Sequence, residues 1–553
     1  MSGIEAEGEL GWRRALLLLA VMLVASYVVY GPVMHGEFAS DDIVTIVENP
    51  YVQELSAENL RVILDPKGPG ILWGMNYAPV HLVVHAVQRH YFGADTWGYH
   101  LVNLFFHALN GLLVVLLLRS SRLPLAVAVA AGFWFLFHPA QLESVAMPFQ
   151  IKTLLSTSCA LGSILLFGRR PVLACLLFAL ALLTKISGAF ALPVVALSCW
   201  MRRGEAEAGS PRWIWALAFL GIFVLVAIPE LSTFQRVGEL GRSPVGGPAE
   251  QVRWMVALAM RYFAIAASGF GVSIFHEPTP PGSWLDPFWL GGLAALALLS
   301  WRWIVVLRRG DEEALYWLIA VAAYAPVSQL FPFLFPMADR YLYAPLIGLL
   351  GGALLAARAA VAWLSERRGA GAAGGAELPV WLAPALLVVA LGFGVKTHLR
   401  APAFESNEAL FEEASRNYPK GIPALMLYAK RNARNGDVQA LGRSLEKLEA
   451  AGYDGYITLM EDPAILHLAS HPQVRGPLRK MIQVRLARLQ ESQDPFQIEL
   501  LLIAHAHQTL GNVDEAVAAL ERAREMGGRH QKEVEESLRS GDAPAARRSS
   551  GGP

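Results

Sequence analysis

Long apolar runs separated by pairs of basic residues occupy most of the first 400 residues of this chain. A helix that crosses a bilayer needs about 20 mostly apolar residues. Eleven runs approach that length: 13–33, 99–118, 123–138, 151–168, 171–184, 186–200, 212–229, 285–306, 313–335, 341–363 and 379–397. Charged residues are only 17% of the chain, whereas a soluble domain is about a quarter charged. We therefore expect an all-α, polytopic membrane helix bundle with about eleven spans.

The basic pairs predict the orientation of these spans, because cytoplasmic loops carry an excess of Lys and Arg. The pairs are Arg13/Arg14, Arg119 with Arg122, Arg169/Arg170, Arg202/Arg203, Arg308/Arg309 and Arg367/Arg368. With all of them in the cytoplasm, the runs alternate, the N-terminus is cytoplasmic and the C-terminus lies outside. Segment 251–276 would break the alternation if it spanned the bilayer. We interpret it as a re-entrant or interfacial helix that carries Arg253 and Arg261.

This topology places several polar segments on one face of the membrane. Loop 34–98 is external and rich in acids. The turns "HPAQLES" (138–144), "LLTKISG" (182–188) and "MADRYLY" (337–343) reach the same side. Acidic and basic residues number 46 each, so no bulk charge favours nucleic acid. The three cysteines lie in apolar runs and predict neither a disulfide framework nor a zinc site.

The adjacent acids Asp41 and Asp42 follow directly on the first apolar run. Acids in such a place often cap a helix or solvate a loop. A carboxylate at the membrane surface also suits a general base that takes a proton from a hydroxyl acceptor. It could equally bind a divalent metal, so the sequence leaves metal dependence open and requires no other cofactor. His81 and His85 would share one helix face, but no third metal ligand accompanies them.

Cationic side chains on the same face are candidates for binding an anionic group. They are Lys152, Lys185, Arg253, Arg261 and Arg340. Each is compatible with ordinary snorkelling to the membrane surface. Lys185 differs because it lies between two apolar runs, where a cation is costly and usually has a partner or a function. The phosphate of a lipid carrier would be such a partner, and Arg340, between Asp339 and Tyr341, could bind it as well.

His138 and Glu143 flank the proline turn of the first of these segments. A neutral histidine there could donate a hydrogen bond to a phosphate or sugar oxygen, or could simply be satisfied within the protein. The sequence does not decide between the two interpretations.

The tail from about residue 402 is charged and contains an internal repeat. "GDVQALGRSLEKLEAAG" (436–452) resembles "GNVDEAVAALERAREMG" (511–527), and both run from Gly to Gly over 17 residues. Helix pairs joined by such turns are typical of tetratricopeptide repeats. We expect a membrane domain over 1–400, a soluble tetratricopeptide-like α-solenoid over 401–530 and a disordered tail over 531–553.

Six stretches, in this order along the chain, carry a resemblance to a known family. They are "FASDDIVTIVENPYVQ" (38–53), "YHLVNLFFHALNGLLVVLLL" (99–118), "LFHPAQLESVA" (136–146), "LLTKISGAFALPVVAL" (182–197), "YAPVSQLFPFLFPMADRYLYAPLIGL" (324–349) and the repeats after 402. Together they resemble multi-pass glycosyltransferases of the GT-C type, and among these the transmembrane-and-tetratricopeptide protein O-mannosyltransferases and their bacterial relatives.

The resemblance implies transfer of a sugar, typically mannose, from a polyprenyl-phosphate carrier to a hydroxyl, often of Ser or Thr in an exported protein, with inversion at the sugar carbon. It implies that Asp41 or Asp42 is catalytic. The positions that match the family's donor-binding residues are Lys185 and Arg340, with His138 and Glu143 in the motif between them. From their place on the same face we add further candidates for binding the donor phosphate and sugar: Lys152, Arg253, Arg261, Asp339 and Tyr341.

The chain departs from the family pattern at two places. Relatives usually carry Tyr-Arg-Pro where this chain has Tyr77, Ala78 and Pro79. They also carry a charged run after the "HP…ES" motif, where this chain keeps only Lys152. At a third place, the usual Glu-Arg pair is Asp339-Arg340, which preserves both charges.

Three alternatives remain open at this point. The protein could transfer another sugar to a lipid-linked or envelope glycan, or serve as a non-catalytic scaffold that uses its repeats. A transporter is less compatible, because transporters place charges at the bilayer midplane and here they gather at one face. The Ala-, Gly- and Arg-rich composition predicts a bacterial inner membrane, with the repeats in the periplasm docking an exported acceptor protein or glycan.

Overall fold

The computed structural model describes residues 11–74, 76–201, 212–237, 245–330, 335–367, 378–453, 455–460, 462–490, 497–526 and 531–540. Within these ranges every regular element is helical and no β-strand occurs, which confirms the all-α prediction. The chain forms two compact units, residues 1–410 and 411–553. The sequence places this division about ten residues earlier, at 400.

The first unit contains seventeen α-helices and the start of an eighteenth among its described residues. They are α1 Trp12–Tyr30, α2 Pro50–Gln53, α3 Ala57–Leu64, α4 Ile71–Gly74, α5 Pro79–Phe92, α6 Thr96–Ser120, α7 Leu125–Phe137, α8 Leu142–Ala146, α9 Ile151–Leu166, α10 Pro171–Thr184, α11 Ala191–Met201, α12 Arg212–Val237, α13 Pro248–Ser268, α14 Pro287–Arg309, α15 Glu313–Tyr324, α16 Tyr343–Arg367, α17 Leu382–Arg400 and α18 Asn407–Asn417.

Seven helical segments in the described residues are long and apolar enough to cross a membrane, so the chain is a multi-pass membrane protein. They are Trp12–His35, Thr96–Ser120, Pro148–Leu166, Arg212–Thr233, Pro287–Arg309, Asp339–Arg367 and Leu382–Phe404. The bent pair α7 and Pro139–Ala146 would be an eighth. Three further predicted spans coincide with apolar helices of 10–17 residues, Pro171–Thr184, Ile186–Met201 and Glu313–Val327. The count of eleven therefore stays a prediction. Helix α13 is not among the seven, and its interfacial placement also stays a prediction.

Two of the predicted polar turns are breaks in apolar helices. The bend after α7 is 52°, and it falls at His138, which is extended because a residue before proline avoids the helical region. Lys185 is likewise extended, between α10 and the short turn Ile186–Phe190. Each break ends one helix and begins another, so backbone groups and polar side chains are available there.

Residues 34–98, which the sequence predicts to be external, form a folded subdomain rather than a simple connection, and we keep the name external loop for them. Helices α2, α3 and α5 enclose a small core that contains Val52, Ile63, Leu82 and Ala86. Asn49 and Ser56 cap α2 and α3 through side-chain oxygens. The loop is therefore able to hold side chains in fixed positions at the membrane face.

Close packing of α15 on α16 depends on small residues. Gly348, Gly351 and Gly352 lie along one side of α16. A Cβ atom on Gly348 would collide with the backbone nitrogen of Ala320 and the carbonyl oxygen of Tyr316. Glycines of this kind let two helix backbones approach closely inside a bilayer.

Hydrogen bonds from buried polar side chains to other side chains and to backbone carbonyls join four further helices. His107 Nδ1 is 2.9 Å from the Tyr343 hydroxyl oxygen, and Asn110 donates to the same oxygen at 3.0 Å. Asn110 also donates to the carbonyl of Leu154 at 2.9 Å. Tyr30 donates to the carbonyl of Leu136 at 2.8 Å. These bonds fix the rotation of α6 against its neighbours, because a buried polar group needs its partner.

The second unit is built from helices that pack on their sequence neighbours. They are the remainder of α18, then α19 Ile422–Arg434, α20 Val438–Ala450, α21 Tyr456–Met460, α22 Pro463–Leu468, α23 Pro472–Gln490, α24 Gln497–Leu510, α25 Val513–Met526 and α26 Gln531–Ser540. Helix α19 packs on α20, and α24 packs on α25. The tetratricopeptide assignment itself stays a prediction.

Both repeats begin with a glycine that has a left-handed backbone. Gly436 and Gly511 have φ of 71° and 85°, and each ends one helix of a pair. Helix α26 lies where the sequence predicts the start of a disordered tail, so that prediction is wrong for residues 531–540. The reason is that Val534 is buried and Leu538 packs against the same core. Residues 541–553 lie outside the described residues.

We expect Gly348→Ala to destabilise the first unit by about 1–3 kcal/mol, because the added methyl group separates α15 from α16. The measurement is thermal unfolding of the protein in lipid. Gly392→Ala is the matched control, since a Cβ atom at Gly392 has no neighbour within 4 Å and alanine favours the helix. Equal unfolding temperatures for the two variants would contradict the proposed close contact.

Candidate active site

The acid pair follows a residue with unusual backbone geometry. Ser40 has a φ of 54°, which is uncommon for a residue other than glycine. Its N–H donates to the side-chain oxygen of Asn407 at 2.8 Å, which helps to hold this conformation. The two acids then have different environments, because Asp41 is exposed and Asp42 is fully buried. The sequence gives no reason to distinguish the two acids, whereas the structure distinguishes them by their exposure to solvent.

The Asp42 carboxylate joins the external loop to a distant turn. It accepts the N–H of Ala39 at 3.1 Å and the N–H of Phe149, in the turn Pro148–Gln150, at 2.7 Å. Burial raises the pKa of Asp42 to about 8, and the charge of Asp41 adds to this, while the two N–H donors lower it. Asp42 is therefore a connecting group whose protonated form is favoured in the folded protein.

Buried Glu143 and partly exposed Arg340 form an ion pair between α8 and the turn Asp339–Leu342. The other Glu143 oxygen accepts the backbone N–H of Arg340 at 2.8 Å. One carboxylate thus fixes both the side chain and the main chain of Arg340. Asp41 also acts electrostatically on this guanidinium, so Arg340 lies within reach of a buried acid and an exposed one.

Asp339, the preceding residue, is bound on both oxygens. Oδ1 is 2.8 Å from Nε2 of His276 and accepts the N–H of Ser273 at 3.3 Å. Oδ2 accepts from Arg400 at 2.9 Å. The carboxylate is fully buried, and it connects the start of α16 to the end of α17 and to the segment after α13. Its geometry is that of a positioning group rather than of one that contacts a substrate.

Lys185 is held at the helix break by a polar chain. Its Nζ donates to Oγ1 of Thr153 at 2.9 Å, and that hydroxyl donates to Oε1 of Gln150 at 2.6 Å. Lys152, the neighbour of Thr153, has its Nζ 5.0 Å from the centre of the Phe149 ring. The turn Pro148–Gln150, which binds Asp42, is therefore followed closely by Lys152 and by Thr153, the hydrogen-bond partner of Lys185.

Three cations from distant parts of the sequence share one region, which we call the cationic cluster: Lys152, Lys185 and Arg340. The charges of Lys152, Arg340 and Glu143 all act on Lys185. Asp41 lies within electrostatic reach of the Arg340 member. Neighbouring positive charges repel, and a phosphate group would relieve that repulsion. The arrangement can therefore bind a phosphate next to an exposed carboxylate.

His138 is satisfied within the protein. Its Nε2 donates to the carbonyl of Ala266 at 3.3 Å, and its Nδ1 accepts the N–H of Ala140 at 3.2 Å. Because a carbonyl only accepts, the proton must be on Nε2. Both ring nitrogens are occupied, and His138 shapes the proline turn.

Other candidates from the sequence lie against aromatic rings. The guanidinium of Arg253 is 4.8 Å from the Trp284 ring, and that of Arg261 is 4.0 Å from the Phe288 ring. None of their described contacts connects them to the cationic cluster. The Tyr341 ring lies 5.3 Å from the guanidinium of the preceding arginine and so borders the cluster.

Several residues at or near the site escaped the sequence analysis. They are Thr153, Glu230, His276 and Arg400. Glu230 accepts the N–H of Tyr77 at 2.6 Å and is 2% exposed, and an acid at the end of an apolar run is a signal that could have found it. His276 and Arg400 have no such local signal, because their partner Asp339 is distant in sequence.

The sequence predicts that His81 and His85 share one helix face, but it does not indicate what they contact. Both are buried, and their rings meet edge to face with centroids 5.9 Å apart. The charge of Lys152 acts on both rings. Both rings therefore lie within electrostatic reach of Lys152. The described residues contain no group of three or more His, Cys, Asp or Glu side chains arranged to hold a metal ion.

Comparison with known proteins gives partial similarities. The chain is 24% identical over 234 residues to the protein O-mannosyl-transferase F38B6.6 of Caenorhabditis elegans, which covers 40% of this chain and 33% of that protein. It is 27% identical over 170 residues to the protein O-mannosyl-transferase TMTC1 of Homo sapiens, which covers 30% of this chain and 17% of that one. The chain thus spans a third or less of the length of these relatives. No family model and no solved structure matches.

The stretches that this chain shares are therefore found in proteins that are named protein O-mannosyl-transferases. Donor, acceptor and mechanism are not given by the similarity.

We expect Asp42→Asn to lower stability by about 1–3 kcal/mol, because an amide can accept only one of the two backbone N–H groups. The pKa of about 8 in the folded state lies above the ordinary value of 3.8. The stabilisation from Asp42 is therefore full below about pH 4 and is lost as pH rises towards about 8. The variant should lack this slope. The measurement is the unfolding temperature in lipid at several pH values.

Asp41→Asn is the matched control for this experiment, since its side chain is exposed. It should unfold like the wild type at low pH and keep a slope, which ends at a slightly lower pH because the charge of Asp41 no longer raises the pKa of Asp42. A slope that persists unchanged in Asp42→Asn would show that Asp42 is not the titrating group.

Proposed function

We propose that this protein is a membrane glycosyltransferase that moves a sugar, most simply mannose, from a polyprenyl-phosphate donor to a hydroxyl group, with Ser or Thr of an exported protein as the acceptor. One observation carries the proposal: the exposed carboxylate of Asp41 lies within electrostatic reach of Arg340, a member of the cationic cluster. A base next to a phosphate-binding region is what transfer from a lipid phosphate to a hydroxyl requires.

In this proposal Asp41 is the general base, and Asp42 is a positioning residue that holds the loop carrying Asp41. The sequence left the choice open between them. Asp41 is exposed and can reach an acceptor, whereas both oxygens of Asp42 already accept backbone N–H groups. Asp42 positions Asp41 by tying its loop to the turn Pro148–Gln150.

The reaction is a single displacement at the anomeric carbon. The acceptor oxygen forms a bond to this carbon while its proton passes to the Asp41 carboxylate, and the bond from the carbon to the phosphate oxygen breaks. The polyprenyl phosphate leaves with the electron pair. Attack opposite the leaving group gives inversion at the sugar carbon. Binding both reactants in one place supplies a large part of the rate enhancement.

The cationic cluster stabilises the leaving phosphate. Lys152, Lys185 and Arg340 would offset the charge that develops on the phosphate oxygen as the bond breaks. Glu143 holds Arg340 in place through its side chain and main chain. These cations do the neutralising that a divalent metal does elsewhere, so the proposal requires no metal.

The second unit is the proposed docking element for the acceptor protein, because concave surfaces of stacked helix pairs bind extended peptides. With the N-terminus in the cytoplasm, the predicted topology puts the C-terminal repeats outside, and we assign that side to the periplasm of a bacterial inner membrane. Transfer of a sugar to a lipid-linked or envelope glycan would use the same base and the same cations.

Asp41→Asn should reduce transfer by about 10²- to 10⁴-fold, because it removes the general base. The assay uses purified full-length protein in lipid, polyprenyl-phosphate-mannose and a panel of Ser/Thr peptides and glycolipids. Binding of the donor should be unchanged within a few-fold. Full activity in this variant would exclude Asp41 as the base, and absence of transfer in the wild type with every donor tested would favour a scaffold.

Lys185→Met should lower turnover by about 10²-fold, because one charge that stabilises the leaving phosphate is lost. Lys67→Met is the matched control, since Lys67 is an exposed lysine of the same external subdomain. The measurement is kcat for transfer by each variant at saturating donor. Equal kcat values for the two variants would exclude Lys185 from the phosphate site.

A further inference from the structure

Two buried histidines within electrostatic reach of Lys152 take no part in the proposed mechanism. His81 and His85 both lie on α5 and have no exposed surface. Neither Nε2 atom has a hydrogen-bond partner among the described residues. Buried polar atoms without partners are rare in folded proteins, and each calls for an explanation.

The hydrogen bonds at the opposite ring nitrogen define what these Nε2 atoms can do. Nδ1 of His81 contacts the carbonyl oxygen of Ala78, which can only accept, so the proton is on Nδ1. Nδ1 of His85 is 2.8 Å from Oε1 of Gln88, which is also an acceptor in this orientation of the amide. In both neutral rings Nε2 therefore carries a lone pair and can only accept a hydrogen bond.

A phosphate group is not the matching ligand for two acceptors. Phosphate oxygens need donors, so the rings would have to be protonated. Burial lowers the pKa of His85 to about 4, and the charge of Lys152 acts in the same direction. Burial and the charges of Lys152 and Lys185 likewise lower the pKa of His81. Both rings are neutral at pH 7.

A metal ion is also disfavoured. Two histidines four residues apart are a common half of a metal site. Here the nearest charges are the positive charges of Lys152 and Lys185, which repel a cation, and no third metal ligand stands with the pair in the described residues. What remains is a neutral ligand that carries hydrogen-bond donors, and hydroxyl groups are such donors.

Gly74 lies at the Nε2 edge of the His81 ring, next to the side chain of Asn76. A Cβ atom on Gly74 would stand 3.5 Å from Asn76 Oδ1, 3.5 Å from His81 Cε1 and 3.9 Å from His81 Nε2. A larger side chain at position 74 would therefore narrow the approach to Nε2 without touching the hydrogen bond at Nδ1.

We propose that His81 and His85 form a sugar subsite in which their Nε2 atoms accept hydrogen bonds from hydroxyl groups of the donor sugar, next to the cations that bind its phosphate. This inference rests on the proposed function and deepens it, because it names the residues that recognise the sugar. A subsite of paired acceptors selects for hydroxyl positions and discriminates against a donor that lacks one of them.

The test compares binding of two lipids by the full-length protein in lipid: polyprenyl-phosphate-mannose and polyprenyl phosphate. His81→Phe and His85→Phe should each weaken binding of the sugar-bearing lipid by about tenfold, the equivalent of one lost hydrogen bond. Binding of polyprenyl phosphate should stay within about twofold. His90→Phe is the matched control, because His90 is an exposed residue of the same helix, and it should bind both lipids normally.

Deoxymannose donors give a second readout. Removal of the hydroxyl that binds His81 should cost the wild type about tenfold in affinity and cost His81→Phe nothing further. Gly74→Val should weaken the sugar-bearing lipid alone, which keeps the inference testable if a histidine variant fails to fold.

Results that overturn the sugar subsite differ from those that overturn the proposed function. Equal loss of both lipids in the histidine variants, or no loss of either, would overturn the subsite. A change in binding on adding Zn²⁺ or a chelator, abolished in the same variants, would overturn it in favour of a metal site. If the wild type binds neither lipid, the proposed function fails instead.

Discussion

The ion pair of Glu143 with Arg340 holds the functional face of the membrane unit together. It joins the helix after the first break to the turn before α16, while the neighbouring Asp339 binds His276 and Arg400. A charge in this environment is stable only if it is paired, so removal of one member leaves another uncompensated. The energetic demand of pairing thus fixes where three distant segments meet, and that meeting point is the candidate site.

Breaks in apolar helices give the site its polar surface. Regular helices satisfy their own backbone and present only side chains, but a break exposes helix ends and allows polar residues at the edge of the apolar region. The breaks at His138 and Lys185 serve in different ways. At the first break, both ring nitrogens of His138 are hydrogen-bonded within the protein, so the histidine shapes the turn. At the second break, Lys185 donates a hydrogen bond to Thr153 and is affected by the charges of Lys152 and Arg340.

Asp41 and Asp42 differ in burial, and this difference gives them different roles. Adjacent residues at the start of a turn point in different directions, so one carboxylate enters the protein and the other faces the site. Asp42 is anchored by two backbone N–H groups, and Asp41 stays accessible near Arg340. The left-handed backbone at Ser40 sets this division, and Asn407 supports it.

The sequence by itself determined the helical membrane character, the polar turns at His138 and Lys185 and the residue types of the site, because hydropathy, proline and intramembrane charge act locally. Lys185 and Arg340 were therefore predictable as candidates. Tertiary structure alone decided that Asp42 is buried while Asp41 is not, that His138 is satisfied by Ala266, and that Arg253 and Arg261 lie over aromatic rings. It also decided that His81 and His85 lie within electrostatic reach of Lys152. These outcomes depend on which segments pack together, and partners far apart in sequence leave no local pattern that reveals them.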